Sequence, residues 1–207
     1  INQRECWLKV IGDFNVYNVC AVYGAAIQLG MTADEALQRI SALNPVSGRF
    51  QKIEGPNGIT GIVDYAHTPD ALEKVLSSLI KFRKPPQRII TIVGCGGDRD
   101  KGKRPQMASI ASRLSDYVIL TSDNPRSESA EKILKDMESG LKKSDKKYCI
   151  SIADRSQGIK LACQNANAND VILLAGKGHE KFQEIHGEKI PFDDLLILKT
   201  LLIEAQT

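Results

Sequence analysis

Tyr117-Val118-Ile119-Leu120-Thr121, followed after Ser122 by Asp123-Asn124-Pro125-Arg126, is the stretch that decides the fold. An aromatic and β-branched run of strand length is stopped by a polar turn that Pro125 stiffens. The pattern recurs on either side. Arg88–Val93 runs into Gly94-Cys95-Gly96-Gly97-Asp98-Arg99-Asp100, and Val171–Ala175 runs into Gly176-Lys177-Gly178-His179-Glu180. Polar loops at the carboxyl ends of several strands are how an open parallel sheet builds a binding crevice.

Working outward, Ile59–Asp64 and Tyr148–Ile152 read as further strands. Helical stretches alternate with the strands at Pro69–Lys81, Pro105–Leu114, Ser129–Leu141, Ser156–Ala166 and Asp194–Glu204. This alternation predicts an α/β fold with a parallel sheet and helices on both faces. The unbroken apolar run Val171–Ala175 fits a strand buried on both sides. Phe182–Ile190, with His186-Gly187 at its middle, reads as a terminal hairpin or edge.

Residues 1–45 follow a different pattern. A strand is expected at Cys6–Val10 and a helix from Val16 to Leu29 that Gly30 terminates. Thr32 and Glu35 form a capping box for a second helix over Ala33–Leu43, which Asn44-Pro45 stops. These helices have no sheet of their own, so residues 1–45 are expected to end an upstream domain and 46–207 to form the next, with Asn44–Gly48 as linker. The chain opens at Ile1, without Met and just ahead of the expected strand, as a fragment would.

Of 207 residues, 42% are hydrophobic, enough for a sizeable core, and the net charge of +3 is mild. Aromatics are 5%, Trp7 is the single tryptophan, and no block of like charge runs long, which argues against a nucleic-acid partner. Lys101, Lys103 and Arg104 suit a small anion or simple solvation. The cysteines are Cys6, Cys20, Cys95, Cys149 and Cys163, an odd number with no CxxC spacing. That argues against a zinc knuckle and against a disulfide framework. No apolar stretch nears the roughly 20 residues that span a bilayer, and no signal peptide is visible, so a cytoplasmic protein without membrane partners is expected.

Four loops carry candidate chemistry. In Asp64-Tyr65-Ala66-His67-Thr68-Pro69-Asp70, Thr68 is a good N-cap and Pro69 suits the first helical position. Asp64 and His67 therefore sit beside a helix N-terminus, which favours phosphate, or they satisfy the cap and each other. The glycine-rich loop matches neither a Walker A sequence nor GxGxxG; its Arg99 can fork onto a carboxylate. In the third loop Asn124 offers donors and an acceptor, and Arg126 a second fork. In the fourth, Gly176 and Gly178 free the backbone, and Glu180 either receives an ammonium or is solvated. Taken together, Arg99 and Arg126 would hold a carboxylate and Glu180 an amine, the signature of an amino-acid pocket, with Arg49, Asp64 and His67 near a phosphate.

These motifs, with Gly12-Asp13-Phe14-Asn15-Val16-Tyr17-Asn18 and Gly48-Arg49-Phe50, occur in the order found in the Mur ligases of peptidoglycan synthesis, and the chain resembles that family over nearly its whole length. The likeness is to the branch that adds meso-diaminopimelate. It implies a Rossmann-like, mostly parallel amino-acid-binding domain, preceded by the helical end of a P-loop ATPase domain. It also implies a monomer whose small-molecule substrates are ATP, a UDP-muramoyl dipeptide and meso-diaminopimelate, joined through an acyl phosphate. The family's phosphate loop, magnesium ligands and carbamylated lysine have no counterpart here and would lie upstream of Ile1, so the fragment is expected to be inactive alone, with no catalytic or metal-binding residue of its own. By resemblance Asn15, Arg49, Asp64 and His67 contact the nucleotide. Arg99, Asp123, Asn124, Pro125, Arg126, Gly176 and Glu180 bind the amino acid. Arg126 would meet the distal carboxylate, which lysine lacks.

Overall fold

The run Val171–Ala175 is buried along its whole length, because it lies inside the sheet and is covered on both faces. The computed structural model describes residues 1, 4–8, 12–44 and 46–204, with the backbone alone at positions 13 and 14. It contains a six-stranded sheet ordered β1 (Gln51–Glu54), β2 (Thr60–Asp64), β6 (Val171–Ala175), β3 (Ile89–Cys95), β4 (Tyr117–Ser122) and β5 (Cys149–Ile152). Every neighbouring pair is parallel except β1 with β2. Asp64 and Val93 both pair with Ala175, and Cys95 with Ser122. The loops after β2, β6, β3 and β4 therefore leave one edge of the sheet side by side.

Alternate strand side chains turn to opposite faces. On one face Ile90, Ile92, Ile119, Ile172 and Leu174 cluster with Ile159 and Ala162 of α6 (Arg155–Asn165) and with Leu198 and Leu202 of α7 (Asp194–Glu204). The other face carries α3 (Pro69–Phe82), α4 (Lys103–Leu114) and α5 (Ala130–Glu138), which pack in succession and bury Leu72, Leu76, Met107, Ala111 and Ile133. Each buried leucine, isoleucine or methionine among them contributes about 1.5–3 kcal/mol of transfer free energy. Caps start the helices where the strands stop: Thr68 Oγ1 accepts from Ala71 N at 3.3 Å, with Pro69 in the first turn.

Several element bounds differ from the sequence expectation by one to three residues, and three differences have a local reason. Strand β1 was not anticipated, because Gln51-Lys52-Ile53-Glu54 holds one apolar residue and too short an alternation to stand out. It adds an antiparallel edge to a sheet that is otherwise parallel. Helix α4 begins at Lys103, ahead of Pro105, since a first-turn proline removes no intrahelical hydrogen bond. Helix α5 stops at Glu138 rather than Leu141; a Cβ on Gly140 would lie 2.0 Å from Pro105 O.

The hairpin of β7 (Phe182–Ile185) and β8 (Glu188–Pro191) is present. It turns at His186 and Gly187, both at positive φ, which matches the twist of its strands.

Residues Ile1–Val46 and Ser47–Thr207 form two compact units. In the first, α1 (Asp13–Gln28) and α2 (Ala33–Ala42) pack around Tyr23, Ala36, Leu37 and Ile40. The capping box is complete: Glu35 N donates to Thr32 Oγ1 at 3.3 Å, and Thr32 N to Glu35 Oε2 at 3.0 Å. Of the expected strand at Cys6–Val10, Lys9 and Val10 lie outside the described residues, and Cys6–Leu8 are not in a strand.

Candidate functional site

The loops after β3 and β4 are zipped together. Gly97 N donates to Asn124 O at 2.9 Å, and Arg126 Nη1 to Gly97 O at 2.8 Å. Ser127 donates to both oxygens of Asp98, by its amide at 3.1 Å and its hydroxyl at 2.7 Å, and Asp98 N donates to Glu128 Oε1 at 2.7 Å. Asp98 and Arg126 both hold φ of +52°, a region costly to residues with a Cβ. These bonds hold them there.

The loop after β4 is equally tied to β7. Gln183 Nε2 donates to Asp123 O at 2.7 Å, Glu184 N to Asn124 Oδ1 at 3.0 Å, Arg126 N to Glu184 O at 3.0 Å, and His186 N to Arg126 O at 2.8 Å. The hairpin is thus a template for the loop, a role its sequence did not disclose.

At the middle of this arrangement lies Lys177, which sequence reasoning passed over. Its ammonium is fully buried and reaches Asn124 Oδ1 at 3.0 Å, Glu180 Oε2 at 3.2 Å and Asp123 Oδ1 at 3.4 Å. Asn124 Nδ2 also donates to Glu180 Oε2, at 2.9 Å. Gly176, at φ +113°, donates its amide to Asp64 O at 3.0 Å and so turns the chain directly off β6. Arg126 Nε meets Glu184 Oε2 at 3.1 Å. Arg99 is exposed and bonds its neighbour Asp98 O at 3.1 Å, leaving most of its fork to solvent.

Asp64 is 5% exposed, and its two oxygens take the amides of Phe50 at 2.7 Å and Ala66 at 2.8 Å. Burial pushes its carboxyl above the usual range, against the pull of those amides and of Arg49. It does not pair with His67, whose Nδ1 instead lies 2.9 Å from Tyr65 O. Around Tyr65 gathers a second cluster: the Arg49 guanidinium 4.8 Å from the ring centre, His67 at 4.6 Å and His179 at 5.1 Å. Lys103 Nζ adds a bond to His67 O at 2.8 Å. Asn15 lies on α1 in the first unit, where its Oδ1 accepts from Asn18 Nδ2 at 3.2 Å.

The reading of Lys101, Lys103 and Arg104 as one solvated or ligand-facing group needs correction. Arg104 is fully buried and bonds Glu128, Asp136 and Gly96 O. Helix α4 starts earlier than expected and turns that position inward. Cys95 is no nucleophile, since burial, ahead of any neighbouring charge, pushes its thiol up to about 12. A cleft of about 780 Å³ opens between the starts of α5 and α6 and the hairpin; Pro125 lines it, but Arg99, Asp123, Asn124, Arg126, Gly176 and Glu180 do not. Among the described residues no cluster of His, Cys, Asp or Glu is placed to hold a metal, and no helix is long and apolar enough to cross a membrane.

The sequence profile of the glutamate ligase domain of Mur ligases matches residues 48–178, the stretch that supplies the six-stranded sheet and the loops after β2, β3 and β4. The chain belongs to the Mur ligase family. It is 52% identical over 202 residues to the UDP-N-acetylmuramoyl-L-alanyl-D-glutamate–2,6-diaminopimelate ligase of Cytophaga hutchinsonii, covering 98% of this chain and 41% of that protein. Its identity to the ligase of that name from Parabacteroides distasonis is 53% over 207 residues, covering 100% of this chain and 43% of the relative. A solved structure of a ligase of the same name superposes with a TM-score of 0.75 at 39% identity, covering 98% of this chain and 41% of the other. The chain thus spans about two fifths of these Mur ligases.

Proposed function

We propose that this chain is the amino-acid-binding portion of an ATP-dependent ligase that adds meso-diaminopimelate to UDP-N-acetylmuramoyl-L-alanyl-D-glutamate. The observation that carries the reading is the convergence of Arg126, Asn124 and Glu180 on one sheet edge, Asn124 and Glu180 held by the buried Lys177 and Arg126 by Gly97 O and Glu184. Arg126 and Arg99 offer forks to carboxylates, and Asp123 and Glu180 offer acceptors to an ammonium. In the reaction, the amine nitrogen attacks an acyl phosphate carbon, forms the amide, releases phosphate and gives up a proton. This chain's share is orientation of the amine, which suits a rigid, cross-linked set of loops.

The cluster of Arg49, Tyr65, His67 and Lys103 suits the phosphates of a nucleotide. Asp64, whose oxygens are taken by backbone amides, acts in this reading by fixing the Phe50 and Ala66 turns rather than by touching ATP. Asn15 would contact adenine from the helical unit. That unit exposes Trp7, Val16, Tyr17 and Leu29, an apolar surface that suits cover by the rest of an upstream ATPase domain. In this reading magnesium would be held by that domain.

Arg126→Lys tests the reading in the chain joined to its upstream coding sequence. Losing the fork while keeping the charge raises KM for meso-diaminopimelate about tenfold and moves KM for ATP little. An equal rise in both would make Arg126 structural.

A further inference from the structure

Lysine at this site would not strand Arg126 as an unpaired charge, because Arg126 already carries a carboxylate of its own. Its Nε meets Glu184 Oε2 at 3.1 Å, with the two side chains 21% and 29% exposed, and its Nη1 is spent on Gly97 O at 2.8 Å. Among the described residues no protein group receives Nη2. Glu184 is anchored by its backbone, its amide on Asn124 Oδ1 and its carbonyl under Arg126 N, so its carboxylate can yield while the strand stays in place.

We propose that Glu184 sets the stringency of amino-acid selection by competing with the ligand's distal carboxylate for Arg126, an inference that rests on the reading of these loops as a diaminopimelate site. A dicarboxylic ligand must share the guanidinium with Glu184 or displace it. A ligand without that carboxylate leaves the Arg126–Glu184 pair intact and is rejected less strongly than a bare cation would reject it. Glu184 is thus a specificity-determining residue that acts through Arg126 and does not touch the reacting atoms.

The test compares kcat/KM for meso-diaminopimelate and for L-lysine in the chain joined to its upstream coding sequence. Glu184→Gln keeps an oxygen to accept from Nε and removes the competing charge. The diaminopimelate-to-lysine ratio is expected to rise about fivefold, the scale of a part-exposed ion pair, chiefly through a lower KM for diaminopimelate. Glu184→Asp, which draws the carboxylate back by one methylene, raises the ratio by less and carries the test if the glutamine variant does not fold. A ratio that stays level or falls in the folded variant overturns the proposal. If the unaltered protein shows no preference for diaminopimelate, the site reading fails and takes this inference with it; if it does and the ratio does not rise, only the inference fails.

Discussion

The electrostatics of the candidate site turn on Lys177. One buried ammonium stands among Asp123, Glu180 and the amide oxygen of Asn124, and without it two carboxylates would face each other in a poorly solvated space. Lys177→Met is predicted to cost about 3–5 kcal/mol of folding stability, the penalty for breaking a buried pair. Urea unfolding measures it, and a loss below about 1 kcal/mol would show that the carboxylates hold their places unaided. The sequence offered Lys177 only as a lysine between two glycines, a pattern that usually means solvated charge. Polarity says what a side chain can bond, not how deep it lies. Arg104 was misread for the same reason. The fork, amide and carboxylate chemistry that Arg99, Asn124, Arg126 and Glu180 offer could be read from residue type, while Glu184, which bonds Asn124 and Arg126, and Gln183, which bonds Asp123 O, sit in a hairpin whose pattern suggested only an edge.

At the scale of elements, the strands that declared themselves were those buried on both sides, Val171–Ala175 to the residue and Tyr117–Ser122 within one. The edge strand β1 did not, since its pairing with β2 is carried by backbone bonds that leave little mark on side-chain choice. What fixes the loops is close backbone approach. A Cβ on Gly97 would lie 1.9 Å from Pro125 O, so Gly97→Ala must push the loops after β3 and β4 apart. The expected cost is about 1–3 kcal/mol, a fall in Tm of several degrees, with amide shifts at Asn124–Ser127 in NMR. Gly102→Ala is the comparison, because its Cβ would meet only a side-chain oxygen, of Asp100 at 3.2 Å. Equal Tm for the two variants would deny the zipped-loop description.

Over the whole molecule, Glu128 links the loop after β4 to Arg104 of α4, to the amide of Asp98 and to Lys101. The Arg104 guanidinium, then the Asp98 amide, hold its carboxyl down from 4.5 to about 2. A carboxyl depressed on folding stabilises the fold above its ordinary value and loses that contribution as pH falls through its folded one. Stability is therefore predicted to decline between pH 4.5 and about 2, and Glu128→Gln to flatten that decline, as read from urea midpoints across the range. An unchanged pH profile in the variant would remove Glu128 from the account. The α/β architecture was legible from alternation alone, because strand and helix periods are written along each segment. That the loops share one edge was implied by the rule that parallel strands end at a common carboxyl edge, but the order β2-β6-β3-β4, which sets them in one row, was not.

The central claim is that this row of loops receives meso-diaminopimelate for amide formation. Phosphate release by the chain joined to its upstream coding sequence, with ATP, magnesium and UDP-N-acetylmuramoyl-L-alanyl-D-glutamate, tests it when either meso-diaminopimelate or L-lysine is added. The account predicts release that depends on meso-diaminopimelate and is weak with lysine. Release with lysine alone, or with neither, would contradict it.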